Sequence, residues 1–408
     1  MDGVAERRAL TGLRGAAALH VALYHVFRSV YGDAPSLGVP LLGGVVLRGY
    51  LAVDLFFVLS GFVMAMAYAD WFTGRWSART YLAFVARRIA RLWPLHAAVL
   101  CAMLAADALS GAWWVWPRMI AANALLVQAW GLSVSLNVPS WSISTEFAAY
   151  LLFPVLLAAA HRGGPIPPGD EHPPAPAAAP PPRGRDAPGA TRRARLSAGA
   201  AGVLRAATLL AAAGTLAAVV WFAPAGGAER HGQLDIYANY SVLPLLRCLA
   251  GFTIGIVAHG VAGAWPARPW CAAGASAALL AGLAAGLDDL VLYPLLPVLV
   301  ASLAPGGGGV ARLLAGAPLH WLGRVSYALY LVHVPVLDAA KAAFGAHWPA
   351  LCAGWPGATL AGLLALSLGV AWLAHRAVEV PGRHGLRALA GRVGLGRARV
   401  RAAGGAGA

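Results

Sequence analysis

Charged side chains are scarce in this sequence, and their scarcity excludes an ordinary soluble protein. Only 12% of the 408 residues are charged, 59% are hydrophobic, and the mean hydropathy is +0.66. A soluble domain carries about twice that charged fraction. Several apolar runs reach the ~20 residues that a helix needs to cross a bilayer, and they are too long and uniform for the alternating strands of a membrane barrel. The composition therefore predicts an all-α, multi-pass membrane protein.

Cysteine and lysine are also scarce. The four cysteines are scattered, and the sequence has no CxxC or HxxxH spacing, so we predict neither a metal site nor a disulfide framework. Lys341 is the single lysine, and arginine supplies the rest of the positive charge behind a net charge of +15. The arginines lie between apolar runs, as they do in the cytoplasmic loops of membrane proteins. We therefore expect a lipid bilayer as the partner, and no nucleic acid.

Ten apolar stretches are predicted to span the membrane. They lie near residues 11–30, 45–69, 92–110, 140–160, 200–222, 240–260, 270–287, 289–304, 318–339 and 357–377. Another apolar segment, 113–131, is interrupted by Arg118, Asn123 and Gln128. If it is re-entrant or interfacial, the arginine-rich loops and the arginine-rich C-terminal segment all face the cytoplasm, as the distribution of positive charge requires. Both termini are then cytoplasmic.

The remaining segments divide the chain into a membrane domain and a tail. Residues 1–385 are predicted to form one integral membrane domain, whose last helix closes where Glu379 precedes Pro381. Within it, residues 163–195 include a run rich in proline, alanine and glycine that cannot form a packed core, so we predict a disordered cytoplasmic loop. Residues 386–408 are predicted to be a basic cytoplasmic tail.

Two ionisable residues of the first span lie on one helix face. Arg14 and His25 are eleven residues apart in LRGAAALHVALYH, which corresponds to about three helical turns and about 16 Å along the axis. Ionisable side chains are costly inside a membrane and are functional candidates there. We therefore expect this face to offer a cation near one membrane surface and a titratable imidazole about halfway through.

The second and third spans add an acid and a pair of arginines. Asp54, in VDLFFVLSGF, has two interpretations. It either lies near the outer interface or is paired within the bundle, or it is a partner that orients or charges His25. Arg88 and Arg91, in RRIARLWP, share a helix face at spacing i, i+3. They are either anchors at the cytoplasmic surface or ligands for a phosphate-bearing molecule that arrives from the cytoplasm.

The fourth span and a late span add three further candidates. Glu146, in PSWSISTEFAAYLLFP, is either an acid in the first turn of a helix or a functional carboxylate near His25. Trp141, in the same motif, is either an interfacial aromatic or a ligand contact. His333, in LGRVSYALYLVHVPV, is either a histidine satisfied inside the bundle or part of the site.

In this order the motifs resemble the acyltransferase-3 membrane proteins, which include bacterial O-acetylases of surface polysaccharides. The resemblance extends over residues 10–383 and rests on LTGLRGAAALHVALYH, VDLFFVLSGF, RRIARLWPLH, WSISTEFAAYLLFP, WLGRVSYALYLVHVPV and EVPGR. It implies about ten helices in the bacterial inner (plasma) membrane. It also implies transfer of an acyl group, usually acetyl from acetyl-CoA, to a hydroxyl of a glycan or sugar acceptor.

The resemblance assigns roles to particular residues. It implies that Arg14 and His25 are essential and that Arg88 and Arg91 lie at the cytoplasmic side where acyl-CoA binds. An imidazole can deprotonate a hydroxyl or carry an acyl group, and a cation can stabilise charge on the thioester carbonyl. We expect the catalytic residues to be His25, Arg14, Glu146 and Asp54. We expect the cofactor-binding residues to be Arg88, Arg91, Trp141 and His333.

Two other classes of protein account for part of the pattern. A proton-coupled transporter or flippase of a glycan-pathway substrate would also carry ionisable residues in its spans, but it does not account for the cytoplasmic RxxR pair or the ordered motifs. A structural subunit of a glycan-assembly complex would need no reactive histidine. The acceptor is open: polysaccharides, lipid-linked sugars, peptidoglycan and macrolide-type small molecules all fit the motifs.

Overall fold

The structure is a computed structural model, and it describes residues 7–32, 40–74, 76–111, 115–161, 188–223, 231–236, 240–262 and 269–395. Within those ranges all regular secondary structure is helical. The α-helices, numbered in chain order, are α1 (Arg8–Tyr31), α2 (Pro40–Leu47), α3 (Leu51–Phe72), α4 (Ala78–Ser110), α5 (Pro117–Ala124), α6 (Ser140–His161), α7 (Pro188–Phe222), α8 (Leu243–Ala262), α9 (Pro269–Ala284), α10 (Asp289–Leu292), α11 (Leu295–Leu303), α12 (Gly309–Leu314), α13 (Ala317–Phe344), α14 (Trp348–Gly354), α15 (Pro356–Ala374) and α16 (Val380–Arg392). The all-α class is confirmed.

Seven of the described helical segments are long and apolar enough to cross a membrane. They are Leu51–Phe72, Ala78–Ser110, Ser140–Ala160, Ala201–Phe222, Leu243–Ala262, Ala317–Gly354 and Pro356–Arg392. Helix α1 has 24 residues, but its arginines and histidines lower its hydropathy. Two apolar helical segments, Trp270–Ala284 and Asp289–Leu303, are shorter. A multi-pass membrane protein is therefore supported, and the count of ten spans stays a prediction.

The core of the bundle is formed by two close helix pairs. Helix α1 packs along α13, and α3 packs along α8. Small residues permit the approach of α1 to α13: a Cβ on Gly15 would lie 2.5 Å from the backbone nitrogen of Gly323, and one on Gly323 would overlap the carbonyl oxygen of Thr11. Backbones this close need residues without side chains, as is common between membrane helices. The pairing fixes the register of α1 against α13.

Two predicted span boundaries are wrong. The second span begins at Leu51 rather than 45, because the turn after α2 separates the two helices. The third begins at Ala78 rather than 92, because the Ser77 side chain caps the helix by accepting from the Thr80 backbone N–H at 3.1 Å. The RxxR pair therefore lies within a 33-residue helix and not at its start.

The segment 113–131 contains only short helices where it is described. Helix α5 has eight residues, and a π-helical turn covers Gln128–Leu132. Neither is long enough to cross a bilayer as a helix. Buried Asn123 holds the segment in shape: its amide donates to the carbonyls of Met119 and Val134, both at 2.9 Å. These short helices agree with the predicted re-entrant or interfacial segment.

Helices extend across two of the predicted segment boundaries. Helix α7 begins at Pro188, so residues 188–195 are helical and not a disordered loop; alanine and arginine in that stretch favour a helix. Residues 162–187 of the predicted loop lie outside the described residues.

The chain stays helical past Glu379 through a π-helical turn and α16, because Pro381 lies in the first turn of α16 and removes no helical hydrogen bond. Helix α16 packs on α4 and crosses the predicted boundary at residue 385.

Candidate active site

Two cavities lie inside the bundle at different heights along α1. The first, called here the arginine cavity, has about 720 Å³ of empty space, including its opening to solvent, and is lined by residues that include Arg14, Arg88, Arg91, Glu146, Tyr150 and Tyr330. The second, called the histidine cavity, has about 680 Å³ of empty space on the same measure and is lined by residues that include Tyr24, His25, Arg28, Trp141, Asp235 and Tyr330. Tyr330 lines both cavities, so the two adjoin at its side chain.

The arginine cavity is cationic. Three guanidinium groups and the Glu146 carboxylate line it. Within the described ranges, Arg14 and Arg91 have no hydrogen bond or ion pair to protein. Arg88 is buried and donates through Nη2 to Tyr68 Oη at 2.6 Å, while its Nε has no partner there. The cavity therefore presents an excess of positive charge and unused N–H donors.

Glu146 is held by hydroxyl groups rather than by the arginines. Its Oε1 accepts from Ser60 Oγ at 2.5 Å and from Tyr150 Oη at 2.6 Å. Tyr150 lies one helical turn after Glu146 on α6, and Ser60 is supplied by α3. Hydrogen bonds to a carboxylate are stronger than those between neutral groups, so these two donors fix the orientation of Glu146 in the cavity.

His25 makes two contacts through one ring nitrogen. Its Nδ1 lies 3.0 Å from the Val21 carbonyl oxygen and 3.3 Å from Nε2 of His333. The ring centroids of the two histidines are 5.0 Å apart. His333 is fully buried, and its Nδ1 lies 3.1 Å from the Leu329 carbonyl oxygen. The close packing of α1 on α13 brings the two imidazoles together.

Polar groups surround His25 in the histidine cavity. Tyr24 donates to Asp235 Oδ2 at 3.0 Å, and Arg28 Nη1 donates to Tyr24 Oη at 3.2 Å. Trp141 contributes an aromatic wall and lies against Arg247, whose guanidinium carbon is 5.4 Å from a centroid of the indole. The cavity thus combines a titratable imidazole, a carboxylate, a guanidinium and an aromatic face.

The boundary between the cavities is held by a hydrogen bond. Ser142 Oγ lies 2.7 Å from Tyr330 Oη, and Tyr330 packs edge-on against Phe56 at 5.7 Å. Ser142 and Trp141 are neighbours on α6, and Ser142 faces the arginine cavity while Trp141 faces the histidine cavity. This part of α6 and Tyr330 of α13 therefore separate the two compartments.

The structure brings together only some of the residues that the sequence predicts. Arg14, Arg88, Arg91 and Glu146 share the arginine cavity. Arg14 and His25 line adjoining cavities rather than one site, because three helical turns separate them on α1. Glu146 does not contact His25, so its predicted role as the partner of His25 is not supported.

Asp54 is not the partner of His25. It is fully buried and forms a two-point ion pair with Arg247, with Nε 2.9 Å from Oδ1 and Nη2 2.5 Å from Oδ2. A buried carboxylate needs a paired cation, and Arg247, also buried, lies on the adjacent helix α8. The alternative prediction, that Asp54 pairs within the bundle, is the one that fits.

Two predicted cofactor contacts also differ. Trp141 lines the cavity of His25 and not the cavity of the three arginines. His333 contacts His25 and a backbone carbonyl and lines neither cavity. Trp141 lies on a different face of α6 from its neighbour Ser142, and the close packing of α1 on α13 places His333 against His25.

Sequence reasoning missed four residues of the site. Tyr24 is next to His25, and Tyr330 stands three residues before His333, so both were within reach of a motif-based argument. Asp235 and Arg247 follow the fourth span in sequence and belong to none of the motifs. Intramembrane charge could have identified Arg247, which interrupts the apolar sequence of α8.

The similarity of the chain to known proteins fits this arrangement. Residues 7–376 match the acyltransferase-3 profile, which is described as an acyltransferase domain. This protein belongs to the acyltransferase-3 family. The match covers both cavities and every residue of the site named above.

Two known proteins are similar to parts of this acyltransferase-3 protein. One is acyltransferase MdmB of Streptomyces mycarofaciens, which is 38% identical over 159 residues, or 36% of this chain and 38% of that protein. The other is protein 2 in the picA locus of Rhizobium radiobacter, which is 38% identical over 96 residues, or 24% of this chain and 43% of that protein. Each match spans less than half of the relative. No solved structure matches the chain significantly.

The arginine cavity suits an anionic group such as a phosphate. Its buried Arg88 Nε without a partner and the unpaired Arg14 and Arg91 are the donors that phosphate oxygens accept from. The only carboxylate among the described lining residues is already bonded by two hydroxyls. Among the described residues, no cluster of three His, Cys, Asp or Glu side chains could hold a metal ion.

Proposed function

We propose that this acyltransferase-3 protein transfers an acetyl group from acetyl-CoA to a hydroxyl of a carbohydrate or glycan acceptor. The observation that carries the proposal is the juxtaposition of the two cavities at Tyr330. One cavity has the cations that an anionic donor needs, and the other has the imidazole that a hydroxyl acceptor needs. An acyl arm that extends from the first cavity past Tyr330 would reach His25.

The topology expected from the sequence would orient the two cavities relative to the membrane. Ten spans with cytoplasmic termini in the bacterial plasma membrane would put the N-terminal half of α1, and with it Arg14, toward the cytoplasm. The arginine cavity then faces the compartment that contains acyl-CoA, and His25, about 16 Å further along α1, lies toward the opposite side. The membrane domain would comprise the bundle together with α16.

The residues of the two cavities divide the chemistry. His25 takes the proton from the acceptor hydroxyl, whose oxygen forms a bond to the thioester carbonyl carbon. The carbon–sulfur bond breaks, and the proton on His25 passes to the leaving thiolate, which yields an ester and CoA thiol. Arg14 lies on the same helix as His25 and lines the arginine cavity, where it stabilises negative charge on the donor. Arg88 and Arg91 bind the donor phosphates.

The histidine cavity supports a carbohydrate acceptor. Trp141 offers an aromatic face of the kind on which the apolar face of a sugar ring packs, and Asp235 and Arg28 offer an acceptor and a donor for hydroxyl groups. A macrolide-type small molecule that carries a sugar would present the same chemistry. A transporter, by contrast, would not need the unpaired arginines beside a hydroxyl-bonded carboxylate.

The test measures acetyl esters on isolated surface glycans by proton NMR before and after mild base. Three strains are compared: wild type, a deletion, and His25→Ala, with His96→Ala as a matched buried-histidine control. We expect a base-labile acetyl signal that is absent from the deletion and His25→Ala strains and present in the control. A deletion strain with unchanged glycan would contradict a surface-glycan acceptor.

A further inference from the structure

We propose that His333 is a positioning residue that, together with the Val21 carbonyl, fixes the tautomer and ring orientation of His25, so that Nε2 of His25 is the basic nitrogen in the histidine cavity. The proton arrangement follows from the structure alone. Its catalytic consequence rests on the proposed acyl transfer.

The arrangement of protons follows from the two carbonyl groups. A carbonyl oxygen only accepts hydrogen bonds. The Leu329 oxygen, 3.1 Å from Nδ1 of His333, therefore places a proton on that nitrogen. In a neutral imidazole the other nitrogen then has a lone pair and accepts. Nε2 of His333 is thus an acceptor, and it lies 3.3 Å from Nδ1 of His25.

The same reasoning applies to His25. Its Nδ1 faces two acceptors, the Val21 oxygen at 3.0 Å and Nε2 of His333, so Nδ1 carries the proton and shares it between them. Nε2 of His25 is then the nitrogen with the lone pair. It has no hydrogen-bond partner among the described residues, and His25 lines the histidine cavity. The available base therefore points toward the space where an acceptor would bind.

His333 has the position that, in many hydrolases, belongs to a carboxylate hydrogen-bonded to the catalytic histidine. In such sites an acceptor behind the histidine holds the productive tautomer and stabilises the imidazolium that forms. Within the described ranges no carboxylate is hydrogen-bonded to His25. His333 is fully buried and neutral in this arrangement, so it orients His25 without bringing a second charge into the bundle. After His25 takes a proton, its Nδ1–H becomes a stronger donor to Nε2 of His333.

The first experiment compares three variants in membranes supplied with labelled acetyl-CoA and the acceptor glycan. His333→Leu removes the acceptor, and His333→Gln restores an amide oxygen near the position of Nε2. His96→Leu is the control: His96 is equally buried and bonds a backbone carbonyl, that of Asn123, at 2.8 Å. We expect His333→Leu to lower kcat about 10- to 100-fold without changing KM for acetyl-CoA, and His333→Gln to recover most of the loss.

A purely structural role predicts a different outcome. His333→Leu and His333→Gln would then lose activity in proportion to the amount of folded protein, and the Gln variant would give no rescue. Equal kcat in wild type and His333→Leu, or a loss confined to KM, would overturn the positioning role.

The second experiment observes the tautomer directly and needs no activity. The purified full-length protein is labelled with ¹⁵N-histidine, and the signals of His25 are assigned by comparison with His25→Gln. We expect a protonated Nδ1 and an unprotonated Nε2 in wild type and in His333→Gln, and a mixture of tautomers in His333→Leu. A protonated Nε2 in wild type would overturn this inference even if acyl transfer is confirmed. The expected tautomer with no transfer to any acceptor would instead count against the proposed function alone.

Discussion

Arg247 and Asp54 form a two-point ion pair in the centre of the bundle, with Nε 2.9 Å from Oδ1 and Nη2 2.5 Å from Oδ2. Both side chains are buried, and Arg247 Nη1 also donates to the Ile236 carbonyl at 3.2 Å. The pair links α3 to α8, and Arg247 also lines the histidine cavity. It also supports Trp141, which lies over the guanidinium.

Removal of one partner of this pair should destabilise the fold more than it affects chemistry. Asp54→Asn leaves the Arg247 charge buried without its counter-ion, which costs about 3–5 kcal/mol. We expect a large fall in thermal stability of the purified protein in detergent. The double variant Asp54→Leu with Arg247→Met should be more stable than either variant in which only one of the two charges is removed. A stable but inactive Asp54→Asn protein would instead support a direct role for Asp54 beside His25.

The arginine cavity should control the affinity for the donor. Arg91→Gln removes an unpaired cation, and each charge-assisted hydrogen bond contributes about 1.5–3 kcal/mol, so KM for acetyl-CoA should rise about 10- to 100-fold with a smaller change in kcat. Arg87→Gln is the neighbouring control, because its guanidinium lies 4.8 Å from the Trp71 ring centroid and does not line the cavity. Equal effects of the two substitutions would contradict a donor site here.

A single added methyl group should disrupt the packing of α1 against α13. Gly323→Ala would place a Cβ against the carbonyl oxygen of Thr11, and backbone cannot move aside cheaply. The two helices would separate, and with them His25 and His333. We expect loss of transfer activity or of folded protein. Gly369→Ala, where a Cβ meets open space, should retain wild-type activity, and tolerance of both substitutions would show that the close packing is not required.

The Tyr330 side chain should limit hydrolysis of the acyl donor by water. Its side chain separates the two cavities and is bonded to Ser142, so Tyr330→Ala would join them and admit water to the reacting groups. We expect CoA release to exceed ester formation in this variant, measured by thiol assay against labelled product. Ser142→Ala, which removes the hydrogen bond but keeps the ring, should show a smaller excess. Strict coupling in both variants would mean that Tyr330 does not separate donor from acceptor.

Hydropathy was sufficient to predict the helical class and most of the span positions, because apolar runs of membrane length have few alternatives. The first residue of a helix was harder to predict where a polar capping side chain determines it, as the Ser77 side chain does for α4. The shared face of Arg14 and His25 follows from helix geometry. Their division between two cavities does not, because it depends on which residues of α6 and α13 lie at each height.

Long-range pairing could not be read from the sequence. Arg247 is 193 residues from Asp54, and no local pattern connects them, so the nearer His25 was the natural candidate partner. The contact of His333 with His25 likewise spans 308 residues and depends on the glycine contacts between α1 and α13. The motifs nevertheless contain Arg14, Arg88, Arg91 and Glu146 of the arginine cavity and His25 and Trp141 of the histidine cavity.

The most informative measurement is transfer from labelled acetyl-CoA by the purified protein in proteoliposomes, paired with calorimetric binding of CoA, for wild type and His25→Gln. The arginine cavity does not include His25, so both proteins should bind CoA with similar affinity. Only wild type should form the acetyl ester, with a loss of at least about 100-fold in the variant. Undiminished ester formation by His25→Gln would contradict a reaction centred on His25, and loss of CoA binding in that variant would contradict the separation of donor and acceptor cavities.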